Sequence, residues 1–233
     1  RYTVAQISSV VGKGNIATGI DGAYYSYPET ILLDGAIQYW QMAATAGTTE
    51  QNSIATGVPG TYNGTYTLNE TGVRDGGTSV LFTNGYMEAD LTGLDVYDVK
   101  CIEFFFKMQS TPSANGETLF YSGNGANLSY SLTCNIEAGQ QLSLYIYRNG
   151  QVNVLAISGA PLVVGTDYQV IINVDPESGP CEVYVNDSLY ASGTLAGNWQ
   201  LQPVMTFGDQ SGTANAFDPF NGHLDDLSLY STK

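Results

Sequence analysis

The sequence predicts an all-β protein built as an antiparallel sandwich of two sheets, and three observations support this prediction. The 233-residue chain contains 27 Gly and 17 Tyr but only 7 Lys and Arg, a composition that favours strands and turns over helices. Strand-like segments recur about every 10–12 residues between turn-forming residues, as in large sandwiches. No alternation of strands with helices and no internal repeat is visible, which disfavours parallel sheets, propellers and solenoids.

A three-stranded meander is predicted at residues 168–191. Its first two strands, residues 168–174 and 181–185, flank the turn-forming sequence DPESGP, which predicts a hairpin. Asn186 and Asp187 tolerate positive φ angles and can turn the chain into the third strand. A meander of this kind buries one face only, so a second sheet must cover that face.

The remaining strands follow from the same pattern of apolar segments between turns. The most hydrophobic segment, residues 99–108, is predicted to be a central strand. Asn84-Gly85 is a hairpin signal and predicts a turn between strands at residues 80–82 and 86–90. Further strands are predicted at residues 37–42, 118–121, 130–136, 141–147 and 152–157.

One sandwich domain is predicted for most of the chain. Residues 28–233 form this domain, and residues 1–27 form a connector or the end of a preceding module. The chain begins at Arg1 rather than Met, so we expect it to be a piece of a longer or processed protein.

The charge of the chain restricts its partners. A net charge of −15 repels phosphate backbones and argues against nucleic-acid binding. No run of 18 apolar residues is present, so no membrane insertion is expected. The acidic charge is compatible with solubility alone or with bound cations.

The three cysteines predict neither a zinc site nor a disulfide framework. Cys101, Cys134 and Cys181 are odd in number and far apart in the sequence, without the spacing of a metal site. Cys101 and Cys181 fall within predicted strands, where buried free thiols are common.

Three motifs resemble a known family. They are YPETILLDGAIQYWQMAATAGTTEQNSIATGVPGTY from Tyr27 onward, CEVYVNDSLYASGT at residues 181–194, and GHLDDLSLY at residues 222–230. In this order they are similar to laminin-G-like and pentraxin-like domains of the concanavalin A-like lectin/glucanase superfamily, of the type found in bacteriophage tail-fibre, spike and other virion proteins. Where relatives often carry an Arg and a Glu after the Trp, this chain has Gln41-Met-Ala.

This resemblance implies a concanavalin A-like jelly roll and a non-catalytic binding module of a viral surface protein. Such a module would attach the virion to a host-surface glycan or receptor. The alternative is a purely structural domain that docks to or decorates the virion without binding sugar. The resemblance further implies a location on the virion surface, or alternatively an extracellular one, with other virion proteins as partners and a homotrimer formed through the parent protein.

A calcium site is one interpretation of the segment TFGDQSGTANAFDPFNG, residues 206–222, which resembles the calcium-binding loop of pentraxin-like domains. Its ligands would be Asp209, Gln210, Asn215 and Asp218, since Ca²⁺ prefers carboxylate and amide oxygens. Only two of these ligands are carboxylates, so the alternative is an ordinary polar turn in which Asp and Asn bind their own backbone.

A sugar site near the same loop would combine Trp199 with Asp209 and Asn215. An aromatic ring can cover the apolar face of a sugar, while planar polar groups bind its hydroxyls. The alternative is that Trp199 packs on the rim of the sandwich. Trp40 is predicted to be a core anchor rather than a ligand platform.

No catalytic residues are predicted, and the protein is not expected to be an enzyme. Glycosidases that share this fold place an acid, a nucleophile and a supporting Asp on alternate residues of one strand, and Glu88 with Asp90 lacks the third carboxylate in register. A glycoside hydrolase remains an alternative only if the strand register brings Glu88, Asp90 or Glu103 together. Asp225 and Asp226 are expected on opposite faces of one strand.

Overall fold

Strands make up most of the structure, as the sequence predicts. In the computed structural model, fifteen strands form one continuous sheet and two short strands form a separate pair. The residues that the structure describes are 17–18, 24–74, 77–93, 99–123, 131–148, 151–155, 159–174, 180–194, 202–209 and 217–231.

The described elements comprise one helix and seventeen strands. In chain order they are β1 (Ala17–Thr18), β2 (Tyr24–Tyr25), α1 (Tyr27–Leu33), β3 (Ala36–Trp40), β4 (Thr49–Glu50), β5 (Gly60–Thr71), β6 (Thr78–Asp90), β7 (Cys101–Met108), β8 (Glu117–Ser122), β9 (Ser131–Ile136), β10 (Leu142–Arg148), β11 (Gln151–Leu155), β12 (Asp167–Asn173), β13 (Pro180–Val185), β14 (Ser188–Thr194), β15 (Val204–Phe207), β16 (Asp218–Pro219) and β17 (Gly222–Tyr230).

The large sheet curls into two halves that pack face to face. The front half has the order β3–β17–β7–β12–β13–β14, and the back half has the order β5–β6–β15–β8–β9–β10–β11. Strand β6 belongs to both halves, because residues 80–82 pair with β17 whereas residues 87–90 pair with β15. A small apolar cavity lies between Cys134 and Leu144 of the back half and Val183 of the front half. The predicted two-sheet jelly-roll class is therefore confirmed.

Apolar side chains from both halves fill the space between them. The prediction that Trp40 is a core anchor is confirmed, because its side chain is fully buried and its Nε1 donates to the carbonyl oxygen of Val58 at 2.8 Å. Burying each large apolar side chain contributes about 1.5–3 kcal/mol. Other large side chains with essentially no exposure are Phe82, Phe104, Phe106, Phe120, Phe207 and Phe220.

The predicted meander and central strand are confirmed. Strands β12, β13 and β14 pair in sequence, and Asn186 and Asp187 have φ angles of 47° and 63° in the turn between the last two. Strand β7 lies between β17 and β12. All three cysteines are buried and none forms a disulfide, as predicted for Cys101 and Cys181.

The hairpin predicted at Asn84-Gly85 is wrong. Strand β6 continues through both residues, and the chain instead turns between β5 and β6, where the Gly72 N–H donates to the Gly77 carbonyl at 3.0 Å. Gly85 pairs with Gly64 on β5. A side chain on Gly85 would bring its Cβ within 2.6 Å of the Asn63 carbonyl oxygen. This glycine thus permits close approach of two backbones rather than a turn.

We expect Gly85→Ala to destabilise the protein by about 1–3 kcal/mol, because the added methyl group must displace backbone atoms of β5. Gly139→Ala is the matched control, since its nearest neighbour would be the flexible side-chain oxygen of Gln141 at 3.4 Å. Urea denaturation of both variants measures the difference. Equal stabilities would contradict the close-approach role of Gly85.

Helix α1 was not predicted, although the sequence contains its start signal. Pro28 occupies the first turn, and Glu29 Oε2 accepts a hydrogen bond from the backbone N–H of Ser26 at 2.7 Å, two features typical of a helix N-terminus. Tyr27 and Ile31 of the helix pack against the outer side of the front half. None of the described helical residues forms a segment long and apolar enough to cross a bilayer.

Candidate functional site

A surface cleft of about 330 Å³ lies where four segments of the chain meet. These segments are the start of α1, the residues after β3, the turn between β5 and β6, and the middle of β17. We call this feature the acidic cleft. Its polar lining groups are Ser26, Gln41, Arg74, Thr78, Asp225 and Asp226.

Strand β17 places two carboxylates in the acidic cleft because it contains a bulge. Asp225 pairs with Phe105 of β7 and Ser228 pairs with Glu103, so β17 has one more residue than β7 over this interval. Asp226 takes a positive φ of 47°, which Asp tolerates better than most residues. An extra residue breaks the alternation of side chains along a strand. The prediction that Asp225 and Asp226 point to opposite faces is therefore wrong, since both contact the turn at Val73 and Arg74.

Asp226 uses both of its oxygens within the protein. Its Oδ2 accepts a hydrogen bond from Arg74 Nε at 2.8 Å, and its Oδ1 accepts one from the Tyr39 hydroxyl. Its side chain is 4% exposed. Burial raises the pKa of Asp226, while the Arg74 guanidinium and the Tyr39 hydroxyl act in the opposite direction.

Asp225 holds the turn between β5 and β6 against β17. Its Oδ2 accepts hydrogen bonds from the backbone N–H groups of Val73 at 3.1 Å and Arg74 at 3.4 Å. The side chain is 2% exposed. Burial, with the neighbouring Asp226 charge, raises the pKa of Asp225 to about 8, although the turn amides and the guanidinium lower it.

The helical wall of the acidic cleft is fixed by a third buried carboxyl group. The Tyr27 hydroxyl donates to Glu103 Oε1 at 2.6 Å, and Glu103 also accepts hydrogen bonds from Gln169 and Tyr230. The Arg74 guanidinium lies 4.2 Å from the centre of the Tyr27 ring, a cation–π geometry. Burial raises the pKa of Glu103, while its three hydrogen-bond donors lower it.

The acidic cleft can bind a polar ligand, since hydroxyl, amide, guanidinium and carboxylate groups surround it.

Sequence reasoning missed this site, although one signal was available. The core leucines Leu224 and Leu227 are three residues apart, whereas Leu227 and Leu229 are two apart, and all three are fully buried. A spacing of three within an alternating strand indicates an extra residue.

The residues predicted for the calcium and sugar sites are only partly within the described structure. Trp199, Gln210 and Asn215 lie outside the described residues. Asp209 and Asp218 are both half-buried. Asp218 Oδ1 accepts a hydrogen bond from Asn115 Nδ2 at 3.4 Å.

The segment that joins Asp209 to Phe217 begins and ends against the outer face of the back half. Thr206 of β15 donates a side-chain hydrogen bond to the Asp209 carbonyl oxygen, and the Phe217 ring lies 5.4 Å from the Tyr145 ring of β10. Within the described ranges, no group of three or more His, Cys, Asp or Glu side chains is placed to hold a metal ion. The calcium site stays a prediction that involves Asp209 and Asp218.

Of the carboxylates considered for a hydrolase, Glu88 and Asp90 alternate along β6, but Glu103 is not brought to them. Glu88 lies in β6 and pairs with Thr206 on the back half, whereas Glu103 is buried beneath α1 on the front half. Asp90 is exposed, and its Oδ1 accepts the backbone N–H of Thr92 at 3.0 Å. The observed strand register therefore does not add Glu103 to Glu88 and Asp90, as the hydrolase alternative required.

Comparison with known sequences gives one family. The family model described as the concanavalin A-like lectin/glucanases superfamily matches residues 86–233. No curated protein matches the sequence.

Comparison with solved structures gives the same fold at low sequence identity. The binding domain of botulinum neurotoxin serotype D is 14% identical with a TM-score of 0.65, and the match covers 85% of this chain and 48% of that one. The binding domain of botulinum neurotoxin DC in complex with SialylT is 12% identical with a TM-score of 0.63, over 86% of this chain and 48% of that one. The chain thus spans about half the length of these neurotoxin domains.

A third similar structure matches over nearly its whole length. It is domain 4 of AbnA, a GH43 extracellular arabinanase from Geobacillus stearothermophilus, in complex with arabinotriose. The identity is 15% and the TM-score is 0.64, with 84% of this chain and 92% of that one covered. At such identities the likeness establishes the fold alone.

Proposed function

Because the chain belongs to the concanavalin A-like lectin/glucanases superfamily, we propose that it is a non-catalytic module that binds a glycan. The acidic cleft carries this proposal. It has a volume of about 330 Å³ and six polar lining side chains on four chain segments, and small-molecule sites occupy roughly 300–1,000 Å³. Carboxylates accept hydrogen bonds from sugar hydroxyls, while guanidinium and amide groups donate to them.

The similar structures support a binding role. The arabinanase domain is in complex with arabinotriose and one neurotoxin binding domain is in complex with SialylT. Another neurotoxin binding domain is in complex with rat synaptotagmin II, so a protein receptor is a second partner class within the same proposal.

A glycoside hydrolase is the second candidate function, and one observation favours it. Asp225 and Asp226 bring two carboxyl groups into one cleft, and glycosidases use such pairs. Two facts favour binding instead. Both oxygens of Asp226 are already engaged by Arg74 and Tyr39, and the two carboxyl groups are neighbours on one strand rather than on either side of the cleft.

The biological setting of the proposal rests on the sequence motifs. Their resemblance to tail-fibre and spike domains supports a location on the surface of a virion, with other virion proteins as partners and a trimer formed through the parent protein. A purely structural decoration role is the alternative within this setting. Calcium held by Asp209 and Asp218 is a separate proposal.

We expect the labelled protein to bind on a glycan array, both with Ca²⁺ and with EDTA, because the acidic cleft supplies its own polar groups. The exposed Ala43 lines the cleft, so Ala43→Trp should fill it and weaken binding by about tenfold or more. Ala160→Trp is the matched control at an exposed alanine outside the cleft.

Other results would redirect the proposal. Binding that disappears with EDTA would move the site to the loop of Asp209 and Asp218. Unchanged binding by Ala43→Trp would contradict the cleft as the site, and release of reducing sugar from the bound glycans would establish the hydrolase. No binding in either buffer would favour a protein receptor or a decoration role.

A further inference from the structure

One carboxylate oxygen in the acidic cleft has no partner within the described part of the chain. Asp225 Oδ2 accepts two backbone hydrogen bonds, and no other hydrogen bond or ion pair reaches this side chain from the described residues. Only 2% of the residue is exposed to solvent, and it lines the acidic cleft. Asp225 Oδ1 is therefore the acceptor that the cleft offers to a ligand.

The charges around this oxygen are unbalanced. Two carboxylates, Asp225 and Asp226, line the acidic cleft, and Arg74 is the only cationic group among its described lining residues. The Arg74 Nε–H is directed at Asp226, whereas Asp225 receives only neutral backbone donors. Burial raises the pKa of Asp225 to about 8, so its carboxyl group holds a proton near neutral pH when the cleft is empty. A ligand ammonium that pairs with this group releases the proton and leaves a charge-assisted hydrogen bond, which is stronger than one from a neutral donor.

We propose that the acidic cleft selects a sugar that carries a free amino group, whose ammonium donates a hydrogen bond to Asp225 Oδ1. This inference rests on the proposed glycan-binding function and adds the class of sugar. Sugar hydroxyls bind the side chains of Ser26, Gln41 and Thr78 on the other segments of the cleft. An N-acetylated sugar lacks the charge, and an acidic sugar brings no cation to pair with Asp225.

A sugar ring fits these observations better than a lysine side chain of a protein partner. The hydroxyl and amide groups lie on three segments around the cleft, which suits several hydroxyls arranged around a ring. A lysine carries apolar methylene groups behind its ammonium. Its methylene groups could not donate to the Ser26 hydroxyl oxygen or to the Gln41 amide oxygen, which can still accept hydrogen bonds because Ser26 donates to Glu29 and Gln41 donates to Ser53.

The test is calorimetric titration of the whole chain with a glucosamine tetramer and with the N-acetylglucosamine tetramer, which differ only in the charged amines. We expect the glucosamine tetramer to bind about tenfold or more tightly than its N-acetylated counterpart. Asp225→Asn should abolish this preference while it keeps the fold, since the amide oxygen can still accept from the Val73 and Arg74 backbone. Thermal unfolding of the variant verifies that the fold is retained.

Two controls separate a specific site from general attraction of cations by a chain of net charge −15. Asp167→Asn removes the same charge at a residue outside the cleft and should leave the preference unchanged. A lysine tetramer carries the same number of side-chain amines as the glucosamine tetramer and should bind more weakly. A lysine tetramer that competes equally would overturn the sugar assignment.

The remaining outcomes of the titration and the glycan array also test the inference. Equal binding of both sugars, or a preference that persists in Asp225→Asn, would overturn the inference and leave glycan binding intact. If neither sugar binds but other array glycans do, the inference fails alone. If no glycan binds at all, the proposed function fails together with it.

Discussion

Replacing Arg74 with Met is expected to destabilise the protein by about 3–5 kcal/mol, because it leaves the buried Asp226 carboxylate without its cation. The Arg74 and Asp226 side chains are 17% and 4% exposed, and the Nε to Oδ2 distance is 2.8 Å. Met keeps most of the aliphatic length of Arg, so the loss reports the interactions of the guanidinium, which include its ion pair with Asp226 and its contact with the Tyr27 ring. Denaturation in urea, which is uncharged, measures the change in the free energy of unfolding.

The matched control is Lys107→Met, which breaks another ion pair on the same protein. Lys107 and Asp167 are joined at 2.6 Å, but their side chains are 27% and 50% exposed. Partly exposed pairs contribute about 0–1 kcal/mol, because water and salt screen them. Similar losses for both variants would show that burial does not set the strength of the Arg74 pair.

The sandwich could be predicted because strand signals are local. The most hydrophobic segment became β7, and the sequence DPESGP separates β12 from β13. A continuous apolar segment carries the information for β7, whereas strand-forming residues beside turn formers carry it for β12 and β13. The error at Asn84-Gly85 shows the limit of such signals. A glycine that turns the chain and one that admits a neighbouring backbone are the same residue in the sequence.

The acidic cleft could not be predicted because its contacts are distant in sequence. Arg74 and Asp226 are 152 residues apart, and Tyr27 and Glu103 are 76 apart. A bulge at Asp226 also reverses the face that strict alternation would assign. No local pattern indicates that the turn after β5 docks on the middle of β17. The unequal leucine spacing in GHLDDLSLY indicates the bulge, but not what it faces.

The free energy of unfolding is expected to fall as pH rises from about 4 to 8, with Asp225 as a main cause. Burial and the Asp226 charge raise the pKa of Asp225 to about 8 in the folded state, whereas an unfolded Asp has a pKa of about 3.9. The folded state therefore holds this proton more tightly. Its stabilising contribution is complete below the unfolded pKa and is lost as pH rises through the folded pKa.

One such group changes stability by up to about 1.4 kcal/mol per pH unit. Burial also raises the pKa of Glu117 to about 7 and that of Asp34 to about 6, so these two carboxyl groups add to the same slope. Asp225→Asn removes the contribution of Asp225 to this slope. We therefore expect the free energy of unfolding of the variant to fall less steeply between pH 5 and 8, as measured by urea denaturation at each pH. Asp167→Asn, with a half-exposed side chain, should keep the slope of the natural sequence. A free energy of unfolding that increases with pH over this range would contradict the raised pKa of Asp225. A carboxyl group lowers the stability as pH rises only if its pKa is higher in the folded state than in the unfolded state.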